Sequence, residues 1–553
     1  MHTNWNIFGK SQNLDEVKTL ILQKRNLSSP LEIDLFLKDE NPLNFLKSFP
    51  QDFKESLKNA KKFIQEAVEK ETPIIIMGDY DADGICATSI LYNFFSQELH
   101  YKNIFYFIPN RFEHGYGLSK SSVEVAVLKV EEAFQGKKQK PKRILFISVD
   151  SGITSVEEAL YIKELGHDLI ITDHHQKPEI LPQADILVWS DKVVGATVAW
   201  ILSQVLGSKS TNSIALATLA TVTDVYPLLG MNRAIVKRGL KVINQASPIG
   251  LRELISVSGL TGKEIGTYEL GWVLGPRINA SGRLAEASQA VRLFTEADSR
   301  IRFQIAQQLN QINKERQDET TRMYDLLSFQ EEIPRFILVS NSDFHEGIIG
   351  LVASRIVREY YRPSIVISLN GKFGKGSVRS IPGINIIEIL REFEEMFENL
   401  GGHPMAAGFT IEVEKISQLE EALHKVFLDR FDDVIFVPSV EVDAEVPLDL
   451  IDWPLFEFLE SLKPFGEGNP SARFVTRKLG IANIDFVGRD KTHTSLKLFD
   501  GKKYQKGIYF NSKEKFEELG LGDYIDVIYS VKLSEFNGNR SLDLFIDGIR
   551  LSS

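Results

Sequence analysis

Residues 71–95 read E-T-P-I-I-I-M-G-D-Y-D-A-D-G-I-C-A-T-S-I-L-Y-N-F-F, and no other stretch constrains the fold as much. A proline followed by Ile74, Ile75 and Ile76 predicts a short strand buried on both faces, as in a parallel sheet. Asp79, Asp81 and Asp83 follow at alternate positions, and Gly84 closes the run. If this segment stays extended, alternation puts all three carboxylates on one side. The apolar stretch from Ile85 to Phe95 predicts a helix. Strand, acidic loop and helix make an α/β unit, and open α/β sheets bind ligands at the carboxyl ends of their strands. Three carboxylates so close repel one another and ionise together most easily with cations between them. Hard divalent ions such as Mg²⁺ or Mn²⁺ take oxygen ligands of this kind. Taken alone, the stretch also suits a solvated acidic turn.

The same arrangement recurs downstream. Arg143 to Val149 predicts a strand ending in Asp150-Ser151-Gly152, with Ser155-x-x-Glu158 as a capping box for the next helix. Asp168 to Thr172 predicts a strand that runs into Asp173-His174-His175, a far more pointed signal than a lone histidine. A fourth strand at Asp185–Ser190 and helices at Gly195–Leu206 and Ser213–Val222 follow, the last delivering Asp224. Two glycine-bearing stretches suit contact with phosphates and bases. Residues 110–117 form a loop with Arg111, His114 and Tyr116, and residues 271–284 read as turns carrying Arg277, Asn279 and Arg283. A solvated loop fits the first of them equally well.

Residues 1–70 read as helices packed on the sheet edge, and residues 285–334 as a helical connector. A second α/β unit covers residues 335–440. Its motifs G-K-F-G-K-G-S-V-R-S (371–380) and G-G-H-P-M-A-A-G (401–408) read as turns that admit a ligand, with Lys375, Ser377, Arg379 and His403 as phosphate ligands. Short alternating strands then fill residues 441–553, as in an OB-fold. Phe465, Arg473, Arg489, Lys491, His493 and Lys497 interleave charge and ring there, the composition of a single-strand binding surface and also of a solvated barrel face.

Composition excludes little. At 553 residues the chain holds several domains. Its single cysteine, Cys86, forbids an intrachain disulfide and a cysteine zinc site. No apolar run reaches bilayer length and no signal-type segment opens the chain, so a cytoplasmic protein without membrane contact is expected. The net charge of −11 does not exclude nucleic acid, because an acidic metal centre contributes to it and local basic patches bind polyanions.

Together, G-D-Y-D-A-D-G, V-D-S-G, T-D-H-H and T-V-T-D-V resemble the four motifs of the DHH phosphoesterase superfamily, and G-G-H-P-M-A-A-G resembles the signature of its associated domain. The motifs G-P-R-I-N-A-S-G-R-L, F-H-E-G-I-I-G-L-V-A-S-R, G-K-G-S-V-R-S and K-P-F-G-E-G-N-P narrow the resemblance to the RecJ family of single-strand-specific DNA exonucleases. The implied fold class is α/β: a parallel-sheet DHH domain over residues 71–284, a DHH-associated domain over 335–440, and a C-terminal OB-like β-barrel. The implied metal ligands are Asp79, Asp81, Asp83, Asp150, His174 and Asp224. Asp173 and His175 form the implied catalytic pair, His175 contacting the scissile phosphate. Arg111, Tyr116, Arg277, Asn279, Arg283, Ser377, Arg379 and His403 are expected to bind substrate. Many phosphatase relatives carry histidine where this chain has Met77, a poor ligand for a hard ion, so Asp79 must substitute for it.

The resemblance implies 5′-to-3′ release of mononucleotides from single-stranded DNA in repair and recombination. Two Mn²⁺ or Mg²⁺ ions about 3.5–4 Å apart would activate water, bridged by Asp150 or Asp81. A RecQ-type helicase and a single-strand-binding protein are the implied partners, and the chain is expected to be a monomer. The alternative is a DHH-type phosphoesterase of short oligonucleotides, cyclic dinucleotides or polyphosphate.

Overall fold

The computed structural model describes residues 3–110, 113–114, 117–136, 141–327, 333–516, 519–536 and 538–552. Arg111 and Tyr116 lie outside the described residues. One unit holds residues 49–224 and 239–438, and the other holds 3–48, 225–238 and 439–553. Strand β1 (Asn4–Ile7), near the start of the chain, belongs to the second unit.

In the first unit, β2 (Ile74–Gly78), β3 (Ile104–Phe107), β4 (Leu145–Val149), β5 (Asp168–Asp173) and β6 (Ile186–Trp189) form an all-parallel sheet in the order β3-β2-β4-β5-β6. Every residue of β2, β4 and β5 is buried, as strands covered on both faces must be. This order sets the carboxyl ends of β2, β4 and β5 side by side. Met77 is buried in the apolar cluster with Phe146 and Ile171, away from any ligand role. The helix Ala82–Asn93, with Cys86 buried in it, packs against the helices Gly195–Leu206 and Ser213–Thr223.

The first helix begins three residues earlier than its apolar run, at Ala82, so the acidic run does not stay extended. Asp81 caps that helix and Asp83 lies in its first turn. Residues 271–284 are likewise helical, as a π-helical turn Glu269–Leu274 followed by the helix Gly275–Leu284. Glycines here serve close approach: a Cβ at Gly275 would stand 2.1 Å from Thr223 Cγ2, and one at Gly282 would stand 2.5 Å from the Tyr80 carbonyl. Ser155 is the N-cap of its helix but its side chain makes no capping bond.

The 27-residue helix Ser299–Asp325 leads to a second sheet. It comprises β7 (Ile337–Asn341), β8 (Ser364–Asn370), β9 (Phe373–Arg379), β10 (Phe397–His403) and β11 (Ala406–Glu412), in the order β10-β11-β9-β8-β7. Only the β7–β8 pair is parallel. Both glycine-rich motifs thus lie mainly in antiparallel strands. Gly376 leaves room for the Phe409 ring, which a Cβ would meet at 2.2 Å, and Gly374 does the same for Ile367 at 2.6 Å.

In the second unit, β12 (Ser439–Val442) pairs in parallel with β1, and β13 (Ala444–Glu445) pairs with the first barrel strand. The barrel strands are β14 (Phe474–Val487), β15 (His493–Phe499), β16 (Tyr504–Tyr509), β17 (Tyr524–Phe536) and β18 (Asn539–Leu551). They run in the order β14-β15-β16-β18-β17, and a β14–β17 pairing closes the ring. Strand β16 was not evident from the sequence, because Gln505, Lys506 and Gly507 break its apolar alternation. The N-terminal segment differs from expectation. The helix Leu14–Lys24 buries Val17 and Ile21 in the barrel's apolar core, and residues 3–48 belong to this unit, while the helix Gln51–Glu69 packs on the sheet-edge strand β6. Arg25 ties the pieces together, donating to Asp443 Oδ1 at 2.9 Å, Asn469 Oδ1 at 2.9 Å and the Pro470 carbonyl at 2.6 Å.

Candidate metal centre

The three adjacent strand ends deliver Asp79, Asp150 and Asp173, and the turn after β5 adds His174 and His175. Asp81 Oδ1 accepts from the backbone N–H of Asp83 and Gly84 at 2.9 and 3.1 Å, so one carboxylate oxygen builds the helix cap. Asp83 accepts from the backbone N–H of Gly195 at 2.7 Å and of Ala196 at 2.6 Å, at the start of a helix. Asp150 adopts a left-handed φ of 58°, an uncommon conformation for a residue with a side chain, which turns the chain sharply at the end of β4. His174 Nε2 lies 3.0 Å from Asp150 Oδ1, 3.5 Å from Asp83 Oδ2 and 4.0 Å from Asp224 Oδ2. Three overlapping groups, Asp79/Asp81/Asp150, Asp83/His174/Asp224 and Asp150/His174/His175, each bring ligand atoms within 4.8 Å of one another.

Electrostatics match this crowding. Burial, then the charge of Asp81, pushes the Asp79 carboxyl well above its usual range, and burial with Asp83 does the same to Asp150. Asp83 rises to about 7 through burial and Asp81, and Asp224 to about 8 through burial and Asp83. His174 falls to about 4 through burial and the neighbouring His175, so it presents a neutral imidazole. Asp79 Oδ1 and Asp150 Oδ1 are buried oxygens that accept no hydrogen bond, although His174 Nε2 stands 3.0 Å from the latter, out of hydrogen-bonding alignment. Buried acceptors left this way are costly unless something else satisfies them, and a divalent ion would. The donor set of carboxylates plus one neutral imidazole fits Mn²⁺ or Mg²⁺.

Asp173 has a different part. Its Oδ1 accepts from the backbone N–H of His174 at 2.7 Å and of His175 at 3.1 Å, and pairs with His175 Nδ1 at 2.8 Å. Its Oδ2 accepts from Ile153 N–H at 2.8 Å. Burial works against both charges, but their mutual bond prevails. Asp173 is held below its usual range and His175 is raised to about 9. The bond to Asp173 thus favours the cationic form of His175.

The expected substrate residues divide into two sets. Asn279 Oδ1 accepts from the Ala82 N–H at 2.7 Å and so braces the acidic turn. Arg277 donates to Asn310 Oδ1 at 3.0 Å and to the Val273 carbonyl at 2.6 Å, and Arg283 donates to the Gly347 carbonyl at 3.1 Å. Ser377 and Arg379 meet on β9, with Arg379 Nη1 3.2 Å from Ser377 Oγ. Both face Gly350 near the start of the helix Ile349–Tyr360, where a Cβ would lie 3.0 Å from Ser377 Oγ and 3.0 Å from Arg379 Nη2. His403 is exposed and lies two strands from Arg379 at the same register, with Ala406 between them. Lys375 is paired with Glu346 at 2.7 Å. On the barrel, Phe465 packs against the core and Arg473 is paired with Asp547 at 2.9 Å. Sequence reading missed Gly195, Ala196 and Trp189. The turn between β6 and the next helix was the one signal for the first two.

Three family descriptions match in the same order. Residues 73–223 match the DHH family N-terminal domain, 334–429 the DHHA1 domain and 442–548 the RecJ OB domain. Parallel sheet, acidic strand ends and DHHA1 partner define a DHH-type phosphoesterase. The RecJ protein of Bacillus subtilis is 32% identical over 97% of this chain and 70% of its own length, and that of Haemophilus influenzae is 28% identical over 96% and 95%. The chain belongs to the RecJ family of single-stranded-DNA-specific exonucleases. The crystal structure of Thermus thermophilus RecJ with Mn²⁺ covers all of this chain (100%) and 80% of that one, at a TM-score of 0.81 and 26% identity. A further RecJ structure bound to manganese is 33% identical over 68% of this chain and 95% of that one, with a TM-score of 0.58. Among the described residues, no helix is long and apolar enough to cross a membrane.

Proposed function

We propose that this chain is a metal-dependent exonuclease that hydrolyses single-stranded DNA from a free 5′ end, releasing mononucleotides. The observation that carries the reading is the convergence of six candidate ligands, from three adjacent strand ends and the ends of two helices, with buried carboxylate oxygens of Asp79 and Asp150 left without hydrogen bonds. Asp79, Asp81, Asp83, Asp150, His174 and Asp224 are the residues that would hold divalent ions. Bound there, such ions would acidify water and offset charge on the phosphate. His175, oriented by its bond to Asp173, would bind a non-bridging oxygen of the scissile phosphate. Water adds to phosphorus, the bond to the sugar 3′-oxygen breaks, and that oxygen leaves with a proton. Ser377 and Arg379, with Arg277 and Arg283, would recognise the 5′-terminal phosphate.

The barrel's outer face suits a single strand. Alternation along β15 and β16 points Lys497, Phe499, Tyr504 and Lys506 outward, with Lys506 3.3 Å from Asp543 Oδ2. Phe499 and Tyr504 stack at 4.5 Å, and Lys497 Nζ stands 4.5 Å above the Tyr504 ring. His493, Phe510 and Phe545 form a second ring cluster, with centroid separations of 5.1 and 5.6 Å. Rings for bases with lysines for phosphates make a grip for single strands. On this reading the chain works in the cytoplasm as a monomer, its DHH domain over residues 71–284, on strands opened by a RecQ-type helicase and handed over by a single-strand-binding protein.

The test is digestion of single strands labelled at either end, with a duplex control. Activity should require Mn²⁺ or Mg²⁺, vanish on chelation, and be lost in Asp81→Asn, which retains a capping side chain, and in His174→Ala. Full activity of Asp81→Asn without metal, or degradation from the 3′ end, rejects the reading.

A further inference from the structure

The last pair of the β5–β6 ladder joins Asp173 to Trp189. His175 lies two residues beyond it, where the sheet no longer fixes the backbone. A side chain does so instead. The indole N–H of Trp189 donates to the His175 carbonyl at 2.7 Å. Thus His175 is held twice, at its ring by Asp173 and at its backbone by Trp189. The same indole carries the Lys177 ammonium 3.9 Å from its ring centroid. The Lys177 side chain is exposed. A cation held on an aromatic face keeps its charge and can turn its remaining N–H donors toward an anion.

We infer that Trp189 is a positioning residue for His175, and that it also parks Lys177 as a contact for the backbone phosphate next to the scissile one. Two residues of chain span at most about 7 Å, so the Lys177 backbone lies within one phosphate step of His175. The inference rests on the nuclease reading for its second half only. The first half holds for any phosphodiester.

Two substrates separate the halves: a long 5′-phosphorylated oligothymidylate and bis(p-nitrophenyl) phosphate, both with the Mn²⁺-loaded full chain. Trp189→Phe keeps a ring without the donor. Benzothienylalanine at position 189 keeps the indole shape and removes only the N–H, which covers the case of a poorly folded Phe variant. Both should lower kcat about five- to tenfold on both substrates with KM little changed, as loss of one well-made hydrogen bond implies. Lys177→Met should raise KM for the strand severalfold more than for the small diester. It should also flatten the slope of log KM against log salt by about 0.7, the share of one phosphate contact on a single strand. Wild-type kcat in both donor-free variants overturns the positioning role. So does a loss seen on the strand alone, which would make Trp189 a DNA contact. An unchanged salt slope in Lys177→Met overturns the phosphate contact. If the wild type cleaves the small diester but no DNA, the nuclease reading fails, and the small diester still reports the Trp189–His175 bond.

Discussion

Gly195 is a tight joint in the metal centre, and Gly195→Ala should disable it. The Gly195 N–H donates to Asp83 Oδ2 at 2.7 Å while its Cα faces Asp150. An added Cβ would stand 2.6 Å from both Asp150 Cβ and Oδ1 and 2.8 Å from Asp150 Cα. Ordinary contact begins near 3.4 Å, so Asp150 or the helix must shift by about 0.8 Å. Neither can do so freely, since Asp150 is buried at a strand end in a strained backbone conformation. Overpacking of this kind costs about 1–3 kcal/mol of stability. Misplacing a reactive centre by about 1 Å costs about 10²-fold in rate. Mn²⁺ affinity should fall about 10- to 100-fold, the usual effect of disturbing groups that orient ligands. Free Mn²⁺ by electron paramagnetic resonance, single-turnover cleavage at saturating Mn²⁺, and a thermal melt read the three effects separately. A folded Gly195→Ala protein that binds Mn²⁺ and cleaves like wild type would refute the argument that these two carboxylates are locked through Gly195.

Four further outcomes follow from the site and the barrel face. With Asp83 near 7 and Asp224 near 8, both are mainly protonated at pH 6.5, so Mn²⁺ binding there should release protons and tighten as pH rises, which calorimetry in buffers of different ionisation enthalpy will measure. These raised carboxyl pKa values also mean that the metal-free fold loses stability as pH climbs from about 4 through 8, a trend that Mn²⁺ should cancel in thermal melts. Arg379→Ala should weaken use of 5′-phosphorylated strands about tenfold or more while affecting 5′-hydroxyl strands less, and equal losses would reject the pocket. Tyr504→Ala and Phe510→Ala should each raise KM for long strands about tenfold and spare trinucleotides, and unchanged KM values would remove the barrel face from the DNA path.

The strands and the acidic ends were legible because each strand is a short apolar run closed by a carboxylate. Legibility stopped where glycine was involved. Gly275, Gly282, Gly374 and Gly376 resembled turn residues, yet they sit in a helix and a strand, where a Cβ would strike Thr223, Tyr80, Ile367 or Phe409. Local sequence does not record a neighbour that distant in the chain. The same limit hid Trp189, whose role depends on register with Asp173, and the barrel allegiance of residues 3–48. That allegiance alters one experiment. Cutting the chain at residue 440 strands β1 without β12 and Arg25 without Asp443, so substitutions on the outer face are the cleaner probe of the barrel.

The pairing of β1 with β12 also has a timetable. Asn6 bonds Glu441 across a separation of 435 residues. At about 5–20 residues per second, a ribosome needs roughly 20–90 s to supply the second strand after the first. The intervening sheet with its acidic centre can fold during that interval, while the helix Leu14–Lys24 waits with Val17 and Ile21 uncovered. Newly made chains would thus leave this N-terminal segment without its packing partners until synthesis is nearly over.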